Sequence, residues 1–297
     1  MTPLVTVVIP SYNHSKYVID SIKSIINQDY DNIELLIIDD GSTDNSVEII
    51  NNFISSSKIT QHFHRFAFIH RENRGLCATL NEGLKWSTGL YFSPFASDDI
   101  ALPYKISYLV EKIHNSHYSA VFGKMDILKS TDNIHTPITK NIDDNKIEEH
   151  SFNDLIMQKN IPSAPTALIK KSEITMLGGY PEDLKLEDWY LWLSLSNKNK
   201  KLATFSRIVT LYRDHPTNTT KNIPLMHKSK IDVLNKFSDN ILYNEAINNT
   251  YYNTARALAR YETFLPLKYL IKSKKFGFGF LLVLIKAFTP SFIIKLK

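Results

Sequence analysis

One cysteine, Cys77, stands among 297 residues. No disulfide can close within the chain, and there is neither a Cys-x-x-Cys pair nor a Cys/His zinc spacing. A small stapled scaffold is excluded, and a reducing compartment fits. Glycine is sparse too, nine in all, and none follows the first apolar run as a dinucleotide fingerprint or a Walker lysine loop. A dinucleotide oxidoreductase thereby loses its main support. The apolar run 276–285 (FGFGFLLVLI) covers about half of the ~20 residues that a spanning helix needs before Lys286 interrupts it. Met1-Thr2-Pro3-Leu4 lacks the cationic region of a secretory signal. Acidic residues are missing from 263–297, where seven lysines stand (Lys268, Lys272, Lys274, Lys275, Lys286, Lys295, Lys297). Taking those seven from the net +5 leaves −2 for the preceding 262 residues. The body therefore has no basic stripe, and no nucleic-acid partner is expected.

What is present is 43% hydrophobic and 22% charged, which suits a folded protein and excludes disorder and fibrous repeats. The length fits one large α/β domain with an addition, or two domains. Short β-branched runs alternate with helical periodicity through the first hundred residues. Strands are expected at Leu4–Ile9, Leu35–Ile38, Phe66–Ile69 and Leu90–Phe95. Between them lie helices carrying Val18, Ile22 and Ile25, then Val47, Ile50 and Phe53, then Leu76, Leu80 and Leu84. Ser42 or Asp44 is the expected cap of the second helix. Repeated βαβ units imply a parallel sheet with helices on both faces. Beyond Asp99 a helix is expected at Pro103–His114, strands at Ser119–Leu128, Ala167–Ile169 and Leu202–Arg213, and a helix from near Leu186. Residues 129–150 read as a long surface connection, and from Pro224 onward the pattern is helical.

Ligands bind an open parallel sheet outside the carboxyl ends of its strands. Four polar loops fall there: Pro10-Ser11-Tyr12-Asn13, Asp39-Asp40-Gly41-Ser42-Thr43-Asp44, Arg71-Glu72-Asn73-Arg74-Gly75 and Ser97-Asp98-Asp99. Any one of them is ordinary turn chemistry; together they outline a site. Adjacent acids at a strand end call for a cation or for hydroxyl donors, which a divalent ion bridging carboxylate and diphosphate would meet. Glu187-Asp188 form a second acidic pair in the first turn of a helix, suited to a general base and equally to a plain helix start. Arg213 and His215 end a strand, where they could meet a diphosphate or a metal. No Cys/His or Ser/His nucleophile arrangement accompanies them.

These motifs resemble the family 2 glycosyltransferases of the nucleotide-sugar-dependent GT-A fold, from about Val5 to Asn218. The fold implied is α/β and Rossmann-like, a mixed, mainly parallel sheet flanked by helices. A catalytic domain is expected at 1–221 and a helical C-terminal extension at 222–297. The resemblance implies nucleotide contacts from Pro10, Tyr12 and Asp40, with Asp98 near the ribose or sugar, and Mg²⁺ or Mn²⁺ at Asp99; Asn13 and Asn73 are expected on the nucleotide as well, and His215 on the metal. Arg213 is expected on the diphosphate, and Asp188 as catalytic base supported by Glu187. Ser97 replaces the first acid of the family's Asp-x-Asp, leaving fewer carboxylates for the metal. No Gln-x-x-Arg-Trp motif of processive synthases occurs, so transfer of one sugar is expected; inversion is expected because a displacement with one base needs no nucleophile, and no nucleophile arrangement is present. The implied donor is a UDP-sugar, and the acceptor a glycan on a polyprenyl diphosphate in O-antigen- or capsule-type synthesis. A cytoplasmic protein is expected, peripheral on the inner membrane face through its tail, unless the tail packs on protein or mediates an oligomer. A non-catalytic nucleotide- or carbohydrate-binding module and a sugar nucleotidyltransferase are the alternatives.

Overall fold

The computed structural model describes residues 2–129 and 146–288. By internal contacts it divides into one unit of residues 1–152 and 161–215 and another of 153–160 and 216–297. The first unit begins with β1 (Val5–Ser11), α1 (Val18–Ile26), β2 (Ile33–Asp40), α2 (Ser46–Ser56), β3 (Arg65–Arg71), α3 (Leu76–Trp86) and β4 (Tyr91–Pro94). Each strand and helix expected from the alternation is there; β2 and β3 run one or two residues past the apolar run at each end, β1 runs two past it at its carboxyl end, and β4 is one residue shorter at each end. Strand β2 shows the reason: its ladder with β3 continues through Asp39 and Asp40, both buried.

Then follow β5 (Ile100–Ala101), α4 (Lys105–Ile113), β6 (Tyr118–Lys129), β7 (Ile147–Glu149), α5 (Phe152–Ile156), β8 (Ala167–Lys170), α6 (Lys171–Met176), α7 (Glu187–Asn197) and β9 (Lys201–Asp214). The sheet order is β3-β2-β1-β4-β8-β6-β9-β5, with β7 on β9. The long ladders are parallel, β1 with β2 and β4, β2 with β3, and β6 with β9; β8, β5 and β7 pair antiparallel. The sheet is therefore mixed. Most of the expected connection at 129–150 lies outside the described residues, but its end differs from a loop. Ile147–Glu149 pairs with Phe205–Ala203, because β9 offers an open edge there.

Chain order reverses at β1: β2 and β3 lie to one side and β4 to the other. The carboxyl ends of β1 and β4 thus flank a topological switch point, the usual binding crevice of such sheets. The core beneath is aliphatic and aromatic, with Val5, Val7, Ile9, Ile22, Leu35, Ile37, Tyr91, Leu109 and Val121 in one buried cluster. Gly83 lets α3 approach β1, since a Cβ there would sit 2.7 Å from Val8 Cγ1. One carboxylate lies in this interior. Glu34, fully buried, accepts from Thr6 Oγ1 (2.5 Å), Thr88 N (2.5 Å), Thr88 Oγ1 (2.7 Å) and Gly89 N (3.1 Å). Burial alone would raise its pKa, but these donors outweigh it and hold the pKa below the usual value.

The second unit is helical, with α8 (Ile223–Asn235), α9 (Tyr243–Leu258), α10 (Leu265–Lys272) and α11 (Phe278–Phe288). Asn222 caps α8 by accepting from Leu225 N at 3.1 Å. Ala255, Ala259, Leu270, Val283 and Ala287 form its small buried cluster.

Candidate active site

The loops after β1, β2 and β3 are stapled to one another by short polar side chains. Asn13, in the left-handed region at φ 55°, accepts from Thr43 N (2.8 Å) through Oδ1, and its own N–H donates to Ser42 Oγ (2.8 Å). Asp39 accepts from Ser42 N (2.8 Å) and Ser42 Oγ (2.6 Å). Asp44 accepts from Ser15 N and Ser46 N, both at 3.0 Å, tying the β1 loop to the first residue of α2; the cap position itself is Asn45, whose side chain makes no capping hydrogen bond, so neither Ser42 nor Asp44 is the cap. Asp40 receives the Arg71 guanidinium, Arg74 N (2.8 Å) and Gly75 N (2.9 Å), which fixes the loop containing Asn73. Gly41 permits that closeness. Its φ is +75°, and a Cβ there would lie 2.6 Å from Asn73 N.

At the switch point, Asp98 Oδ2 lies 2.9 Å from His215 Nε2 and 3.8 Å from His14 Nε2. His14 Nδ1 is held by Ser97 Oγ at 2.7 Å, which aims Nε2 toward Asp98. Among the described residues, His14, Asp98 and His215 are the group whose ligand atoms all lie within 4.8 Å of one another. Two imidazoles and one carboxylate are chemically a divalent-metal donor set, and burial lowers the His14 pKa, keeping that ring neutral and able to ligate. The Tyr17 ring packs on His215 at 4.7 Å.

Asp99 faces the other way. It is buried, its Oδ1 accepts from Arg213 N at 3.0 Å, and its Oδ2 has no hydrogen-bond partner among the described residues. Burial, with Asp98 beside it, pushes its pKa up to about 8. Lys105 is the nearby cation: fully buried, it donates from Nζ to Ser93 Oγ at 2.9 Å and lies over the Phe95 ring. Burial takes its pKa down to about 7 against the attraction of Asp99.

The second acidic pair opens α7. Asp188 Oδ1 accepts from Trp189 N at 2.6 Å, and burial raises the pKa values of both acids, that of Glu187 to about 8 with Asp188 contributing. Trp189 and Trp192 are fully buried and anchor this helix, Trp192 donating from Nε1 to Pro162 O at 3.1 Å. Nearby, Cys77 donates to Leu184 O at 3.1 Å, and Asn81 grips Tyr180 with two backbone hydrogen bonds of 2.8 Å. The start of α3 is thus tied to the segment that leads into Glu187-Asp188.

Among the sequence candidates, Tyr12 is 47% exposed and Asn73 is exposed at the strand ends, while Pro10 sits inside β1 opposite Ile38. Asn13 and Asp40 have their side-chain acceptors occupied by neighbouring loops. The geometry departs from the sequence expectation at the metal: Asp98, expected near the ribose, stands with the histidines, and Asp99, expected on the ion, supports the Arg213 backbone. Arg213 differs as well. Its guanidinium donates to Asp20 Oδ2 (3.0 Å) and Asp98 O (2.9 Å), bracing the 97–99 loop where the diphosphate had been expected. The sequence does not single out His14 or Lys105. His14 directly follows the Pro10–Asn13 loop, and that position is its one local signal; nothing local marks Lys105 as buried.

Residues 6–167 match the family model described as Glycosyl transferase family 2, and the chain belongs to that family. It is 28% identical over 262 residues to an uncharacterized glycosyltransferase of Rickettsia bellii, covering 83% of this chain but 33% of that protein, so it spans a third of that relative's length. It is 28% identical over 241 residues to the Escherichia coli UDP-Glc:alpha-D-GlcNAc-diphosphoundecaprenol beta-1,3-glucosyltransferase WfgD, covering 80% of this chain and 88% of WfgD. The mannosyltransferase PcManGT from Pyrobaculum calidifontis, solved with GDP-Man and Mn²⁺, superposes with a TM-score of 0.62 at 16% identity over 99% of this chain and 88% of its own. That likeness shows the GT-A fold. Among the described residues no helix is long and apolar enough to cross a membrane.

Proposed function

We propose that this chain transfers one sugar, with inversion, from a nucleotide-sugar to a hydroxyl of a lipid-diphosphate-linked glycan. The observation that carries the reading is the convergence of His14, Asp98 and His215 at the switch point of a family 2 fold, with a separate acidic pair at the start of α7. In this reading the exposed Tyr12 face and the stapled loops after β1 to β3 take the nucleoside. A divalent ion held by Asp98, His14 and His215 would neutralise charge developing on the departing diphosphate. Two imidazole donors favour Mn²⁺ over Mg²⁺ at that place. Asp99 and Arg213 hold the Asp98 loop in position.

Asp188 acts as the base. It takes the proton of the acceptor hydroxyl as that oxygen bonds to the anomeric carbon, while the bond from that carbon to the phosphate oxygen breaks. The nucleoside diphosphate leaves with the electron pair from the opposite face, through an oxocarbenium-like transition state. Burial favours this by keeping the proton affinity of the pair above that of a solvent-exposed acid. WfgD supports a UDP-sugar donor and a diphospholipid acceptor by its name, and PcManGT supports nucleotide-sugar with Mn²⁺ by its complex. A role in surface-polysaccharide assembly at the inner membrane face follows from that acceptor.

The test is a screen of UDP-, GDP- and dTDP-sugars with Mn²⁺, with and without a diphospholipid-linked GlcNAc acceptor. Acceptor-dependent release of one nucleoside diphosphate is expected. Binding of all donors with no turnover on any acceptor would instead favour a non-catalytic module.

A further inference from the structure

Helix α11 is apolar on every face apart from Lys286, although only one of its faces is covered within its own unit. Val283 and Ala287, with Phe280 and Leu284, turn toward Ala255, Ala259 and Leu270. The remaining apolar positions are open: Phe278 is 76% exposed, Leu281 51%, Leu282 50%, Ile285 56% and Phe288 58%. Their spacing of i, i+3, i+4, i+7 and i+10 draws one stripe along the helix, where a surface helix of a soluble protein carries polar residues. Phe264, Ile271 and Phe276, each more than 60% exposed, add apolar surface just ahead of it. Patches of this kind mark interaction sites.

The charge around the stripe indicates the partner. Residues 256–288 contain Arg256, Arg260, Lys268, Lys272, Lys274, Lys275 and Lys286 against the single acid Glu262. Lys286, on α11 itself, has its pKa lowered by partial burial and by the charges of Arg260 and Arg256, so cations crowd the edge of the apolar face. An isologous contact with a second copy would set two such patches against each other, and like charges would oppose it. The described helix α11, 11 residues and about 16 Å long, is roughly half the hydrocarbon thickness, a length suited to lying in an interface.

We propose that the exposed face of α11, with Lys286, Arg256 and Arg260 near one another beside it and further lysines in the adjoining sequence, docks in the plane of an anionic lipid bilayer. The apolar side chains enter the boundary between headgroups and acyl chains, and the cations bind acidic headgroups. Neither feature alone is enough: one short apolar stripe gives weak partitioning, and exposed lysines are screened by salt. Together they give reversible attachment. The inference does not depend on the reading of the active site.

Flotation of the full chain with phosphatidylcholine vesicles, with and without phosphatidylglycerol, at low and high salt and without any sugar donor, tests it. Binding to the phosphatidylglycerol vesicles at low salt is expected, falling at high salt and absent on neutral vesicles. The double variant Leu282→Glu/Ile285→Glu should bind at least about tenfold more weakly, at an unchanged melting temperature. Lys268→Gln/Lys274→Gln, which leaves the apolar face intact, should reduce binding and flatten its salt dependence. No binding of the unmodified chain to anionic vesicles at low salt would overturn the proposal. So would a dimer in light scattering that Leu282→Glu/Ile285→Glu converts to monomer, because the stripe would then be covered by a second copy.

Discussion

Asp98 Oδ2 and His215 Nε2 stand 2.9 Å apart across 117 residues of sequence, joining the loop after β4 to the end of β9. The contact exists because Arg213 braces the Asp98 carbonyl and Asp99 receives the Arg213 N–H. If the pair holds a metal, His215→Ala or Asp98→Asn should lower Mn²⁺ affinity, measured by calorimetry with UDP present, by more than about 100-fold. Ser97→Ala, which frees only the His14 ring, should cost about tenfold, as orienting partners of metal ligands do.

The acids of α7 predict an unusual pH dependence. Burial and the neighbouring Asp188 raise the Glu187 pKa from its ordinary 4.5 to about 8, so above the ordinary value the unfolded chain has released a proton that the folded one keeps. Stability therefore falls as pH rises through this window. Glu187→Gln removes the penalty. Its melting temperature should exceed that of the unmodified chain at pH 8 and match it at pH 4.

Glu34 gives the opposite sign. Its folded pKa is depressed by four donated hydrogen bonds, so the stability it contributes is present above its unfolded value of 4.5 and is lost as pH falls through the lower folded value. Glu34→Gln should flatten acid unfolding, and at neutral pH it should lower stability by about 1–3 kcal/mol, because an amide cannot accept at every donor. Denaturant titration at pH 3 and pH 7 checks both parts.

Gly41→Ala should destabilise by about 1–3 kcal/mol through left-handed strain. Its added carbon would meet Asn73 N. Since the Asn73 loop lines the expected nucleoside pocket, UDP affinity should fall with the melting temperature. A variant that melts early yet binds UDP normally would remove this loop from the site.

How far the sequence reveals these features depends on whether the cause is local. The strands and helices through β4 are legible because apolar period and turn residues repeat within ten residues, and the polar loops at their ends follow directly. Asp98 and Asp99 are visible as a pair, and the resemblance assigns Asp98 to the nucleotide and Asp99 to the metal, but no local signal sets their orientation. Which carboxylate faces the crevice is decided by Arg213 and His215, more than 110 residues away, whose backbone and ring select one acid each. Lys105 is the clearest case: it stands at the start of a helix beside Pro103 and Tyr104, yet the fold buries it against Ser93 and Phe95, within electrostatic reach of Asp99. A double-mutant cycle of Lys105→Met with Asp99→Asn should show non-additive stability, with a coupling of about 0.5–3 kcal/mol. Additive losses would mean that the two groups do not sense each other.

In the proposed mechanism Asp188 removes the acceptor proton while His14, Asp98 and His215 serve the donor. The direct measurement is sugar transfer by Asp188→Asn, with Mn²⁺ and a diphospholipid-linked acceptor, beside calorimetry of UDP on the same protein. Transfer should fall by about 10²–10⁴-fold with UDP affinity unchanged. Near-full transfer by Asp188→Asn, with transfer lost in Glu187→Gln, would contradict the assignment.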